Sequence, residues 1–178
     1  MAKQASGYSQ VARRMFRRAL VDTAIQLRLR KSIEVMAKLR KGSCQECETL
    51  RYNLARQVAE YLAELDKDLR GLYLYAPDYA CGDYEHPCRG SSPAAGVNLI
   101  AWTRTKKSIP AETIEGLSAA FREARANILC AEATGYCYSL NMAVVNDIEV
   151  RERKGHAAMI DSAMVRPTQV WSKYRVAG

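Results

Sequence analysis

Residues 9–41 contain neither glycine nor proline. A run of that length without a breaker, closed by Gly42, predicts one long helix. Val21, Ile25, Leu29, Ile33 and Met36 recur at steps of three and four and so share a face, which Leu20, Ala24 and Leu27 widen. Ser43-Cys44-Gln45-Glu46 then reads as a capping box that opens a second helix, with Leu50, Leu54, Val58, Tyr61 and Leu65 as its apolar stripe. So short a joint makes the two helices antiparallel neighbours, a hairpin.

The pattern changes after residue 70. Gly71-Leu72-Tyr73-Leu74-Tyr75 is short, aromatic and β-favouring, and Pro77 stops it. Residues 78–95 are rich in Gly, Pro, Ser and Tyr and read as a loop. Residues 97–103 form a second strand. Pro110 marks the first turn of a helix to about Leu129, with Leu117, Phe121, Ala124 and Ile128 inward. Residues 138–145 are a third strand. Asp147 caps a short helix over 148–154, Gly155 breaks it, and a last helix over 156–165 precedes Pro167.

Charge divides the chain as sharply as periodicity does. The 178 residues carry a formal charge of +8. Residues 1–42 hold 11 Lys+Arg against 2 Asp+Glu, and residues 43–178 hold 16 against 17. A nearly neutral body thus carries a basic arm. Its expected partner is anionic, nucleic acid first and an acidic protein or membrane surface second. No apolar run approaches the roughly 18 residues that span a bilayer, and the first residues lack an apolar signal core, so the expectation is a cytoplasmic protein without a membrane partner.

Within the arm, Arg13, Arg14, Arg17 and Arg18 form a tight double pair on adjacent helix faces, and Arg28 and Lys31 extend the charge. These six are the expected phosphate contacts, with steep salt dependence. The competing reading is neutralisation by the acids of the second helix, Glu60, Glu64, Asp66 and Asp68, which an antiparallel hairpin brings toward Arg13 to Arg18.

Six cysteines fall as local pairs, Cys44/Cys47, Cys81/Cys88 and Cys130/Cys137. Cys44-Gln45-Glu46-Cys47 is a C-x-x-C at a helix N-terminus, where free N–H groups favour a thiolate. Zinc would take Cys44 and Cys47 with Cys81 and Cys88, or with His86. The plainer reading is reduced, partly buried thiols, because a cytosolic setting disfavours disulfides. His86 and His156 are far apart in sequence, and no nucleophile-elbow motif accompanies them. Tyr73, Tyr75, Tyr79 and Tyr84 can stack on bases or cover a sheet edge.

From Leu65 to Trp171 the element order resembles the minimal nucleotidyltransferase domain of the DNA polymerase beta superfamily. Leu72 to Tyr75 is similar to its first strand, Gly96-Val97-Asn98-Leu99-Ile100 to its paired-Asp strand, and Leu140-Asn141-Met142 to its third. Met159-Ile160 through Val170-Trp171 resembles its closing helix and short strand. The resemblance implies a mixed sheet with flanking helices, and Mg²⁺-dependent nucleotidyl transfer where the carboxylates are present. Here Ala76-Pro77 stands at the Gly-Ser position, and Gly96, Asn98 and Asn141 stand at the three carboxylate positions. Two hard cations that clamp a triphosphate need anionic oxygen ligands, which neutral amides and a glycine do not supply. Loop acids Asp78, Asp83 or Glu85 are the only evident substitutes.

The fold expected is α+β: a basic antiparallel helical hairpin over residues 1–70, then a small nucleotidyltransferase-like domain over 71–178. The function expected is a non-catalytic nucleic-acid-binding or assembly subunit on a degenerate scaffold, with no catalytic residue assigned. Two alternatives stand beside it: a Mg²⁺-dependent nucleotidyltransferase with displaced ligands, and a zinc-stabilised protein-interaction module. The hairpin is also the expected route to a protein partner or a homo-oligomer.

Overall fold

The computed structural model describes residues 2–40, 44–75, 96–129 and 138–174. Five α-helices and four strands follow in the order α1 (Ala2–Gln26), α2 (Ser32–Arg40), α3 (Cys44–Leu65), β1 (Leu69–Tyr75), β2 (Val97–Thr103), α4 (Ala111–Leu129), β3 (Leu140–Val145), α5 (Asp147–Glu152) and β4 (Thr168–Ser172). The class is α+β, and α1 and α3 form the expected hairpin with α2 set between them.

The single long helix predicted over residues 9–41 is interrupted. Arg28 takes φ 56°, the left-handed region. Its N–H donates to the Ile25 carbonyl (3.2 Å), and the Leu29 N–H donates to that of Ala24 (2.8 Å). This is a Schellman stop built without glycine. The Arg30 N–H then donates to the Glu34 carboxylate (2.8 Å), which ties the entry to α2. Sequence reading misses the stop because nothing but glycine or asparagine announces a left-handed residue.

The break and the neighbours of α1 also change which face is buried. Ala12, Met15, Phe16, Ala19, Leu20, Thr23 and Ala24 point inward, whereas Val21 (44% exposed), Ile25 (69%) and, on α2, Ile33 (65%) point outward. Of the stripe read from the sequence, Leu20 and Ala24 are buried and Leu29 and Met36 pack against the core, while Val21, Ile25 and Ile33 face outward. The inner face adds Met15 and Phe16 with Ala12, Ala19 and Thr23, small residues that let neighbouring helices approach closely but weigh little in an apolar pattern. Thr23 is satisfied there: its hydroxyl donates to the Ala19 carbonyl (2.7 Å) and accepts from Asn53 Nδ2 of α3 (3.0 Å), which also donates to Gln26 Oε1 (3.1 Å). That network sets the register of α1 against α3. On α3, Leu50, Leu54, Val58 and Leu62 are buried, while Leu65, expected inward, is exposed.

The sheet order is β3-β2-β1-β4. β1 pairs antiparallel with β2 and β4, and β2 pairs parallel with β3 through the α4 crossover. β2 and α4 fall where the sequence places them, and β3 starts two residues later than expected. A register shift between Leu69 and Gly71 lets Leu69 and Leu72 both face the helices. One core runs from Ala12, Phe16 and Phe121 through Leu54 and Leu72 to Leu99, Leu140 and Val170. Phe16 and Phe121 meet edge to face at 5.1 Å. The switch from helix to strand falls at Leu69, and this core continues across it.

Gly116 sits inside α4, where glycine costs helix stability. A Cβ there would stand 2.5 Å from the Tyr8 ring of α1. The residue is small because the two helices touch at that point.

Among the described residues, the opposite sheet face is covered by less. Ile100, Val145 and Ala157 are buried there with Tyr73, Tyr75, Trp102, Val150 and Ile160 packed around them. Asn146, not Asp147, caps α5, in a complete capping box with Glu149. The helix expected over 156–165 shortens to a 3₁₀ turn, Gly155–Met159, followed by turns.

Candidate nucleic-acid interface

Arg13, Arg14, Arg17 and Arg18 lie on the solvent side of α1, as spacings of one, three and four require once Met15, Phe16, Ala19 and Leu20 face inward. Arg13 pairs with Glu123 of α4 (3.1 Å) and Arg18 with Asp22 of its own helix (3.6 Å). Among the described residues, no acidic group lies within ion-pair distance of Arg14 or Arg17. The neutralisation expected from α3 takes another course. Asp66 is buried and accepts from the Thr103 hydroxyl and the Asp68 N–H, and Glu60 only lines a groove shared with Arg14 and Arg18. Exposed pairs such as Arg13–Glu123 contribute little and open readily to a competing phosphate.

Arg28 and Lys31 are exposed at the α1–α2 corner, on the order of 15 Å along the axis from Arg18. The structure thus gathers four of the six predicted phosphate contacts on one ridge and sets two apart.

Three depressions adjoin on this side. A shallow one of about 520 Å³ follows the ridge, lined by Gln10, Arg13, Arg14, Arg17, Arg18 and Val21. A groove of about 470 Å³ between α1 and α3 is lined by Arg14, Arg18, Asp22, Ile25, Gln26, Arg56, Gln57 and Glu60. A smaller one of about 220 Å³ lies between α3 and β4, lined by Arg56, Glu60 and Gln169 through Ser172, including Trp171. Each shares two residues with the next. Arg56 and Trp171 escaped sequence reading because nothing in the chain aligns positions 56 and 171 with residue 14. Burial raises the Tyr61 phenol of α3 above its ordinary pKa, and Tyr8 adds to the shift while Arg14 opposes it.

The positions equated with the nucleotidyltransferase carboxylates come together on the other sheet face. Asn98 and Asn141 are register partners on β2 and β3, and Asn141 Nδ2 donates to Asn98 Oδ1 (3.1 Å). A Cβ on Gly96 would meet that same Nδ2 at 2.9 Å. Among the described residues, the arrangement presents amide groups that bond each other where the resemblance has carboxylates. Tyr73 and Tyr75 lie on this face, and burial raises both phenols; at Tyr73 the charge of Asp161 adds to the shift. Ala76-Pro77, Asp78, Tyr79, Asp83, Tyr84, Glu85 and His86 lie outside the described residues. His156 is exposed in its 3₁₀ turn.

The zinc reading rests on side chains that are mostly outside the described set: those of Cys44, Cys81 and Cys88. Cys47 is buried and disulfide-bonded, so the reduced-thiol reading does not hold there, and its sulfur in that form is not a thiolate ligand. Among the described residues, no three His, Cys, Asp or Glu side chains cluster as a metal site. No described helix is long and apolar enough to cross a membrane.

A charged clamp that sequence reading missed joins α5 to the sheet. Arg70 pairs with Asp147, its Nη2 donating to the carboxylate (2.8 Å) and its Nε in ion-pair contact at 2.7 Å, and the Trp102 indole N–H donates to the same carboxylate (2.9 Å). Burial pushes the Asp147 carboxyl up, but the hydrogen bonds from Arg70 and then Trp102 outweigh it and hold the group below its usual range. The hydrogen bond from Lys106 does the same to Glu149. The Asp147 bond in turn raises Arg70.

Comparison of the chain with protein-family models, with curated proteins and with solved structures returns no match.

Proposed function

We propose that this protein is a non-catalytic nucleic-acid-binding subunit on a degenerate nucleotidyltransferase scaffold, with α1 as its phosphate-contacting element. The observation that carries the reading is the exposed ridge on which Arg14 and Arg17 stand without an acidic partner among the described residues. Guanidinium groups about one helical turn apart present forked donors to successive phosphates. The amide pair Asn98–Asn141, where the resemblance calls for carboxylates, supports the non-catalytic half of the proposal.

Fluorescence anisotropy of labelled oligonucleotides across a salt series, with and without Mg²⁺ and ATP, tests it. The expected result is binding that weakens steeply with salt and ignores Mg²⁺ and ATP. Arg14→Gln and Arg17→Gln should each lower the salt slope by about one. Absence of binding at low salt, or binding indifferent to salt, overturns the proposal.

The outward Val21, Ile25 and Ile33 favour a second reading, assembly through the helical hairpin with another copy or another protein. Light scattering of the purified protein and of a Val21→Ser/Ile25→Ser variant decides it: a dimer lost in the variant supports assembly, and a monomer in both removes the homo-oligomer.

A further inference from the structure

We infer that the ligand of this surface is a single-stranded polynucleotide whose backbone lies on the α1 ridge and whose bases turn into the α1–α3 groove and reach Trp171. The inference rests on the nucleic-acid reading above and specifies it.

Three observations carry it. The first is continuity. Arg14 and Arg18 line both the ridge and the groove, and Arg56 and Glu60 line both the groove and the recess beside β4, so the three form one path. The second is the order of chemistry along that path. It begins with clustered arginines, passes Gln26, Gln57, Asp22 and Glu60, and ends at a tryptophan. Cations suit phosphates, whereas amides and carboxylates suit the donor and acceptor edges of bases and would repel the backbone. The acids therefore fit inside the groove and not on the ridge, which is where the structure has them. Trp171 packs on the core while also lining the recess, so it has little side-chain freedom left to lose if its indole stacks on a base.

The third is size. The groove between α1 and α3 holds about 470 Å³ and the recess beside β4 about 220 Å³. A stiff duplex with its bases stacked inside cannot send bases into such depressions and would touch only the ridge. A single strand can use the whole path. A basic groove with an aromatic platform is the general solution for single-strand binding.

The intact chain reports the test through its own fluorescence. It has two tryptophans, and Trp102 lies on the opposite sheet face against Asp147. A labelled oligothymidylate and oligouridylate of about 12 nucleotides, and a blunt duplex of the same length, are titrated at low salt into the wild type, Trp171→Phe, Trp171→Ala and Arg56→Gln, with tryptophan emission reporting quenching and anisotropy reporting affinity. The expected result is quenching by the single strands that is absent in Trp171→Phe. Arg56→Gln should cost single-strand affinity several-fold and Trp171→Ala roughly tenfold, while weaker duplex binding stays unchanged in both. Arg56→Gln alters an α3 surface position and keeps the test independent of sheet stability. Comparing thymidylate with uridylate separates a DNA from an RNA preference. Oligonucleotide binding that needs Arg14 and Arg17 but is indifferent to Trp171 and Arg56, or a duplex bound as tightly as the single strand, overturns the path and leaves the proposed function standing. If no oligonucleotide binds at low salt, both fall.

Discussion

On the side of the sheet that faces α1, α3 and α4, Leu72, Leu99, Ala101 and Leu140 share one apolar core with Phe16, Leu54 and Phe121. On the other side the buried apolar side chains, among the described residues, are Ile100, Val145 and Ala157. That layer is fastened by Arg70–Asp147, Trp102–Asp147, Lys106–Glu149 and the Asn146–Glu149 capping box. The first side is stabilised by area removed from water, which is non-directional and nearly indifferent to pH and salt. The second depends on a few charged, directional contacts whose strength follows protonation and ionic strength. One sheet therefore divides into a face that tolerates changed conditions and a face that responds to them.

The largest effect expected from breaking this contrast comes from the apolar side. Phe121→Ala removes the edge-to-face partner of Phe16 and should cost about 3–5 kcal/mol in urea unfolding, without altering pH dependence. On the charged side, Asp147→Ala should cost roughly 2 kcal/mol, since it leaves the half-buried Arg70 and Trp102 donors without their acceptor.

The two variants should also separate by pH. Folding depresses the Asp147 and Glu149 pKa values, so the stability they add is fully present above the ordinary carboxylate range near 4 and is lost as pH falls through the folded values. Wild type and Phe121→Ala should lose stability alike on acidification, and Asp147→Asn should lose less. Equal acid sensitivity in all three, followed by chemical unfolding from pH 6 to pH 3, would sink the assignment of acid response to this face.

A smaller effect sharpens the picture of the apolar side. Gly116→Ala gains helix propensity yet forces the Tyr8 ring aside, so a net loss of about 1 kcal/mol is expected. In a Tyr8→Ala background the same change should stabilise, a reversal of sign that calorimetry can read. Smallest of all, Arg14→Gln and Arg17→Gln should leave stability within about 0.5 kcal/mol, because they touch neither layer, while weakening oligonucleotide binding.

Several elements were plain before any coordinates. Val97–Thr103 and the helix to Leu129 are bounded by their own residues: a β-favouring apolar run, and a proline followed by apolar residues at steps of three and four. The inward Leu117, Phe121 and Ala124 followed from that spacing. The candidate site was half visible. Arg13, Arg14, Arg17 and Arg18 announce themselves by density of charge, whereas Arg56 and Trp171 have no local signal.

What the chain determined unaided was the α+β class, the order of most elements and the concentration of positive charge in the first 42 residues, because each depends on neighbours within a few positions. Tertiary structure decided the phase of α1, the stop at Arg28 and the joining of ridge, groove and Trp171. A helical period specifies spacing but not which of two apolar stripes is buried. On α1 the inner stripe runs through Ala12, Met15, Phe16, Ala19, Leu20, Thr23 and Ala24, and the close approach of α3 and α4 selects it over Val21 and Ile25.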